Sequence, residues 1–142
     1  MMLFTQNDIA KGRIQDLLVK HAIRPTSQRV EIAALLFSQP QHLSADVVLT
    51  RVNRTCAKVS KATVYNTLNL FAKKGLIREV IIDSGKVFYD SNTDEHHHIY
   101  NEDTGMLLDV AADKMAIKNL PPIPANTETT GIDVIIRVRN SS

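Results

Sequence analysis

The scarcest residues in this 142-residue chain set its first limits. A single cysteine, Cys56, excludes an intrachain disulfide and any cluster of thiolates around zinc. A lone thiol of this kind is most simply a small buried hydrophobe. Glycine and proline number only five each, and 44% of the residues are hydrophobic against 23% charged. That balance describes a folded globular chain, not a disordered or fibrous one. No apolar run approaches the roughly 18 residues needed to cross a bilayer. The opening "MMLFTQNDIAKGR" has neither the charged start nor the apolar stretch of a signal peptide, so the expected location is the cytoplasm, with no membrane partner. The length suits one ordinary domain or two very small ones, and small domains need each other or a second copy to bury enough surface, so a homodimer is expected.

Net charge is low as well, at +2, but it is unevenly spread. Residues 1–90 carry 13 Lys/Arg against 7 Asp/Glu, a net +6, and residues 91–142 carry 4 against 8, a net −4. A basic half suggests a polyanion, most often nucleic acid, and an acidic half that contains histidines suggests a cation. Two solvated surfaces of opposite sign are the plainer account.

The basic half reads as helices followed by a hairpin. "NDIAKGRIQDLLVKHA" sets Ile9, Ile14, Leu17, Leu18 and Ala22 at helical spacing, with Asp8 in the first turn. After Pro25 a second helix starts with Thr26 or Ser27 as N-cap and carries Val30, Ile32, Ala33, Leu36 and Phe37 inward. Ser44 caps a third, with Asp46 in its first turn and Val48, Leu49, Val52 and Cys56 facing in. "SKATVYNTLNLFAKKG" begins at Ser60, a good N-cap, and ends at Gly75, suited to the left-handed position beyond a helix. Its apolar stripe is Val64, Leu68, Phe71 and Ala72; the opposite face displays Lys61, Tyr65, Asn66, Asn69 and Lys73. "LIREVIIDSGKVFYD" then forms two β-rich runs around Ser84-Gly85, a hairpin signal. Helices ending in one with a polar outer face, then a hairpin, make a winged helix-turn-helix.

A solvated surface would account for that outer face in an isolated helix. Here Arg24 and Arg29 bracket the second helix start, Lys58 and Lys61 the fourth, and Lys86 sits on the wing, where a protein tracking a duplex needs phosphate contacts. Double-stranded DNA is the expected partner, with a half-buried aromatic as the alternative role for Tyr65.

"SNTDE" after Asp90 is short and polar, and serves as a linker between a domain of residues 1–90 and one of residues 91–142. "HHHIYN", "MLLDV" and "GIDVIIRVR" are expected strands, the first two joined by "EDTG" and the last too continuously apolar for a one-face pattern. "AADKMAIKN" is expected as a short helix and "LPPIPANTETT" as a loop. The fold class is thus α+β, with a thin C-terminal α/β domain that a second subunit completes. Side chains alternate in a strand, so His96 and His98 share one face and His97 takes the other. Two imidazoles spaced i, i+2 form half of a site for Zn, Mn, Fe or Co, and Asp90, Asp109 and His42 are candidate completions.

"HAIRPTSQRVEI", "HLSADVV", "SKATVYNTLNLFAKKGLI" and "DEHHHIYNEDTG" resemble, in order and across nearly the whole chain, the successive signatures of the Fur superfamily of metal-responsive repressors. Within it, the triple histidine, the loss of cysteines and the ending "IDVIIRVR" are similar to the iron response regulators, dimeric regulators of iron and haem genes that sense haem. The resemblance implies a regulatory site of His42, Asp90, His96, His98 and Asp109 for Fe2+, Mn2+ or Zn2+. It implies a second or haem-linked set of Glu95, His96, His97 and His98. It implies that Tyr65 reads bases with help from Asn66, and that Arg24 reaches an A/T-rich minor groove of a palindromic operator. The superfamily's structural zinc is held by two Cys-X-X-Cys pairs. Here Asn101 and Thr104 occupy the first pair and the second has no counterpart, so no structural zinc is expected. Cys56 is followed by Ala57, so a Cys-Pro haem motif is missing.

The expected mechanism is a repressor of iron and haem metabolism genes, not an enzyme. A ligand bridging His42 and His98 would fix the angle between the halves and so the spacing of two recognition helices. Metal-bound histidines are neutral, so occupancy should fall as pH drops through the imidazole range. One rival is a peroxide sensor in which the same five ligands hold Fe(II) or Mn(II). Another is a small metallohydrolase with Glu95 or Glu102 as base, which leaves the basic helices without purpose.

Overall fold

The structure, a computed structural model, describes residues 6–55 and 58–142, and of residues 6–9 only the backbone; Asp8, Ile9 and Cys56, to which the sequence assigns capping and core roles, lie outside the described side chains. The chain divides into two compact units, Met1–Thr93 and Asp94–Ser142.

The first unit contains α1 (Gln6–Lys20), α2 (Ser27–Leu36), β1 (His42–Leu43), α3 (Ala45–Thr55), α4 (Lys61–Lys73), β2 (Arg78–Asp83) and β3 (Lys86–Asp90). Local chemistry sets most of these bounds. Thr26 is the N-cap of α2, its hydroxyl accepting from the Arg29 N–H at 3.3 Å, and Ser60 caps α4 by accepting from Thr63 N–H at 3.1 Å. At the far end of α4, Gly75 takes φ +75, Leu76 N–H reaches back to the Phe71 carbonyl and Gly75 N–H to that of Ala72. This is the Schellman arrangement, with Leu76 and Phe71 buried together. α1 ends the same way, on Ile23 N–H to Leu18 O. Its left-handed residue is Ala22, at φ 58. Ala22 therefore lies exposed beyond the helix and not on its apolar face, as the spacing had suggested; the buried Leu18 and Ile23 pair outweighs the strain of a non-glycine there.

Val30, Ile32, Ala33, Leu36, Val48, Val52, Val64, Leu68 and Phe71 close one aliphatic core, with Phe37 and Ala72 packed partly against it. Each fully buried side chain of this size contributes roughly 1.5–3 kcal/mol. β2 and β3 form the expected hairpin, whose turn is tightened by Gly85 N–H donating to the Asp83 carboxylate at 2.9 Å. β1 was not foreseen. Two residues suffice because they add to the free edge of β3, His42 opposite Asp90 and Leu43 opposite Tyr89, giving the order β1-β3-β2.

The second unit is a three-stranded sheet of order β5-β4-β6, with β4 at His96–Asn101, β5 at Leu107–Ala111 and β6 at Ile135–Val138. β4 runs antiparallel to β5 and parallel to β6. The expected helix over "AADKMAIKN" does not form. Only a single 3-10 turn, Ala112–Lys114, is present, and Met115 is already extended. Nine residues are too few to hold a helix without a packed face, and no side chain of that turn is buried. β6 is shorter than "GIDVIIRVR" suggested and lies at the sheet's edge, with Ile136 and Val138 exposed.

Candidate metal centre and nucleic-acid face

Register sorts the second unit's side chains. His98 pairs with Asp109 and His96 with Ala111, so His96, His98 and Asp109 share one face. Their ligand atoms lie within 4.8 Å of one another. Nε2 of His98 is 3.3 Å and Nε2 of His96 3.6 Å from the same Asp109 oxygen. Both histidines are buried, whereas the carboxylate is about half exposed, with 48% of its side-chain surface open. The tautomer of His96 follows from its neighbour. Its Nδ1 lies 2.5 Å from the Asp94 carbonyl oxygen, which only accepts, so Nδ1 carries the proton and Nε2 keeps its lone pair. That backbone contact orients metal-binding imidazoles generally. Two imidazole nitrogens and a carboxylate make a donor set for Mn, Fe, Co or Zn.

In the first unit, His42 and Asp90 are cross-strand partners. Asp90 is 1% exposed and accepts from the Asn92 N–H at 2.9 Å. The His42 ring stands edge-on to Phe88, 6.0 Å between centroids.

His97 faces the other way and is also buried. Its Nδ1 accepts the Val134 N–H at 3.1 Å, so in the neutral ring the proton sits on Nε2 and neither nitrogen has a lone pair to offer a metal. Beside it on this face stand Ile99, Leu108, Ile136 and Val138, the last three exposed. Glu95 is exposed. Where the resemblance places a cysteine pair, a polar clasp stands instead. Asn101 Oδ1 accepts from the Asp103 and Thr104 N–H groups, its amide donates to Asn140 at 3.0 Å, and Asn140 N–H donates back to Asp103 at 2.8 Å.

On α4, Lys61, Asn66, Asn69 and Lys73 are exposed as expected, while Tyr65 is half-buried. Tyr65 is held from two sides: its hydroxyl donates to Asp46 at 3.4 Å, and Lys61 Nζ lies 5.7 Å from its ring centroid. Asn69 Oδ1 accepts from the Tyr89 hydroxyl at 3.2 Å, tying the helix to the wing. Burial raises the Tyr89 pKa above the phenol's ordinary value, with the Glu79 carboxylate and Tyr65 adding to it. Arg24, Lys58 and Lys86 are exposed; Arg29 is half-buried and donates to the Arg24 carbonyl at 2.9 Å. The start of α4 is set by Asn53, whose side-chain amide exchanges two hydrogen bonds with the Val59 backbone, at 2.7 and 3.1 Å. Sequence reasoning missed Asn53, Tyr89 and Thr67; Thr67 is buried at 5% exposure within α4, and only its place among polar neighbours marks it.

These features have relatives. The peroxide-responsive repressor PerR of Staphylococcus epidermidis (strain ATCC 12228 / FDA PCI 1200) is 33% identical over 92 residues, 65% of this chain and 61% of the relative. The match thus spans less than two thirds of that relative's length. Among solved structures, the Francisella tularensis ferric uptake regulator with iron aligns with TM-score 0.67 at 25% identity, over 83% of this chain and 92% of its own. The Pseudomonas aeruginosa ferric uptake regulator with manganese aligns with TM-score 0.66 at 23% identity, over 90% and 98%. The sequence pattern of the ferric uptake regulator family matches residues 20–133, and the chain belongs to that family.

Proposed function

We propose that the protein is a cytoplasmic, dimeric, double-stranded-DNA-binding transcriptional regulator, mainly a repressor, whose affinity for DNA is set by a divalent metal. The observation that carries this reading is the convergence of His96 and His98 Nε2 on Asp109, with the His96 tautomer already suited to ligation. His42 and Asp90 complete the ligand set from the first unit. They face each other across β1 and β3, and only residues 91–95 separate Asp90 from His96, a tether of roughly 20 Å at full stretch. A metal held by all five would tie the two units and so restrain where α4 is presented. Residues 1–90 then act as the DNA-binding domain and residues 91–142 as the dimerisation and sensing domain. Tyr65, Asn66 and Asn69 meet bases, while Arg24, Arg29, Lys58, Lys61 and Lys86 meet the backbone or minor groove of an A/T-rich palindrome. The exposed Leu108, Ile136 and Val138 face supports the homodimer.

Control by haem, as in the iron response regulators and their iron and haem genes, is the finer form of this proposal, with Glu95 and His96, His97 and His98 as its residues. Ligation by His97 would first have to release the Val134 N–H. The alternative, a peroxide-sensing repressor, is favoured by the 33% identity to a peroxide-responsive repressor. Fluorescence anisotropy of an A/T-rich palindromic duplex with apo, Mn(II)-loaded and haem-loaded protein at fixed salt tests these readings. Tightening by Mn(II) supports metal control and release by haem supports haem control; identical affinity in all three states refutes ligand control. Added oxygen on His42 or His96 after peroxide with Fe(II), read by mass spectrometry, would favour the peroxide reading.

A further inference from the structure

α1 and α4 end on the left-handed residues Ala22 and Gly75, but α2 does not: Phe37 follows it at φ −97. Its final carbonyls must therefore find donors elsewhere. Pro40 sharpens the need, because it lacks the N–H that a longer helix would have donated to the Leu36 carbonyl. The side chain of Gln41 meets it. Its Nε2 donates to the Leu35 carbonyl at 2.8 Å and to that of Leu36 at 3.3 Å. Carbonyls only accept, so the amide can face them only with its nitrogen. The backbone of the same residue is bound to Ser91. Ser91 N–H donates to the Gln41 carbonyl at 3.1 Å, which extends the β1–β3 ladder one pair beyond His42 and Asp90. The Gln41 N–H donates to Ser91 Oγ at 3.3 Å, and that hydroxyl donates back to the Gln41 carbonyl at 3.3 Å. Gln41 and Ser91 are the chain neighbours of His42 and Asp90, the two ligands proposed from the first unit. One residue thus joins the end of α2 to the strand pair that carries both.

We propose that Gln41 is a positioning residue of the metal site: through Ser91 it fixes the spacing of His42 and Asp90, and through its amide it carries occupancy of the site to the last turn of α2. That helix shares its core with α4, Val30, Ala33 and Leu36 lying in one cluster with Val64 and Leu68. The inference rests on the metal-control reading and names the residue through which the first unit responds. A cation holding His42 and Asp90 together resists fraying of the strand end at Gln41, and a still Gln41 stills the α2 carbonyls. Coupling of this kind is reciprocal, so loosening the helix end must cost metal affinity.

Isothermal titration of Mn(II) into the full chain, with amide exchange at residues 35–38 followed in the apo and loaded forms, tests the assignment. Gln41→Met keeps the length of the side chain and removes both donors. It should weaken Mn(II) binding roughly tenfold, the lower end of what outer partners of a metal site contribute. It should also abolish the slowing of exchange at residues 37 and 38 that loading produces in the wild type. Ser91→Ala should do the same, and Ser91→Thr, which keeps the hydroxyl, should bind as wild type. The double variant Gln41→Met/Ser91→Ala should lose no more than the larger single effect, since both cut one link. A purely structural role for Gln41 gives instead faster exchange in both forms with Mn(II) affinity unchanged, and that result overturns the proposal, as does wild-type exchange that ignores Mn(II). Should Gln41→Met fail to fold, Ser91→Ala at its half-buried position decides in the same way. Absence of Mn(II) binding by the wild type overturns the metal-control reading and this role with it.

Discussion

The two units fill their interiors with opposite kinds of side chain. In the first, Leu18, Ile32, Ala33, Leu36, Val48, Val64, Leu68 and Phe71 are wholly buried and none carries a polar group. In the second, the buried positions of β4 are His96, His97, His98 and Tyr100, while Leu108, Ile136 and Val138 stand exposed. An aliphatic core is stable without help. A sheet that buries imidazoles on β4 and exposes aliphatics on β5 and β6 has, on the proposed reading, its stability and function deferred to what would bind: a cation on one face, a second copy on the other. On that reading the difference separates a rigid DNA-reading unit from a sensing unit within one chain.

The sharpest test of that contrast is to truncate one leucine in each unit. Leu68→Ala should cost about 2–5 kcal/mol in denaturant unfolding, since it opens a cavity in a sealed core. Leu108→Ala should cost less than about 0.5 kcal/mol in the monomer, and Leu108→Asp should convert the dimer to monomer in sedimentation; equal costs for both alanine variants would erase the contrast. Next in size, His98→Ala should lower Mn(II) affinity by about a hundredfold or more, beyond the usual effect of outer-shell partners, while the melting of the first unit stays unchanged. Loss of both together would show that the histidine serves packing. Asn101→Ala removes the acceptor for two N–H groups and a donor to Asn140, and should cost roughly 1–2 kcal/mol. Amide exchange should speed at residues 102–106 and stay slow in α4; a uniform increase would contradict a local clasp.

The smallest effect lies in the first unit and depends on pH. Burial holds the folded Tyr89 pKa above its ordinary 10.0. The neutral phenol's contribution is then complete below the unfolded value and is lost as pH rises through the folded one. Wild-type protein should lose stability above about pH 10 more steeply than Tyr89→Phe, as read from melting temperature. Parallel curves would refute the burial account.

What was legible in the sequence was local. Ser60 and Gly75 could be placed, and the cap of α2 narrowed to Thr26 or Ser27, because caps and left-handed ends depend on residues three or four positions apart. His96 and His98 could be placed on one face because strand parity is fixed by the backbone. What depended on distant partners was not legible. His97 accepts from Val134, 37 residues on, and Tyr89 reaches Asn69 across 20 positions. The dipeptide at 42–43 carries no strand signal without β3 beside it. "AADKMAIKN" has helical spacing but nothing to pack against, so its pattern misled.

The division of labour within the histidine triplet is the central claim, and isothermal titration of Mn(II) into wild type, His98→Ala and His97→Asn tests it most directly. Asparagine offers an oxygen where His97 Nδ1 accepts the Val134 N–H, so the sheet is preserved. The account predicts one Mn(II) per chain for wild type and for His97→Asn, and none at comparable affinity for His98→Ala. Full binding by His98→Ala, or its loss in His97→Asn alone, would contradict it.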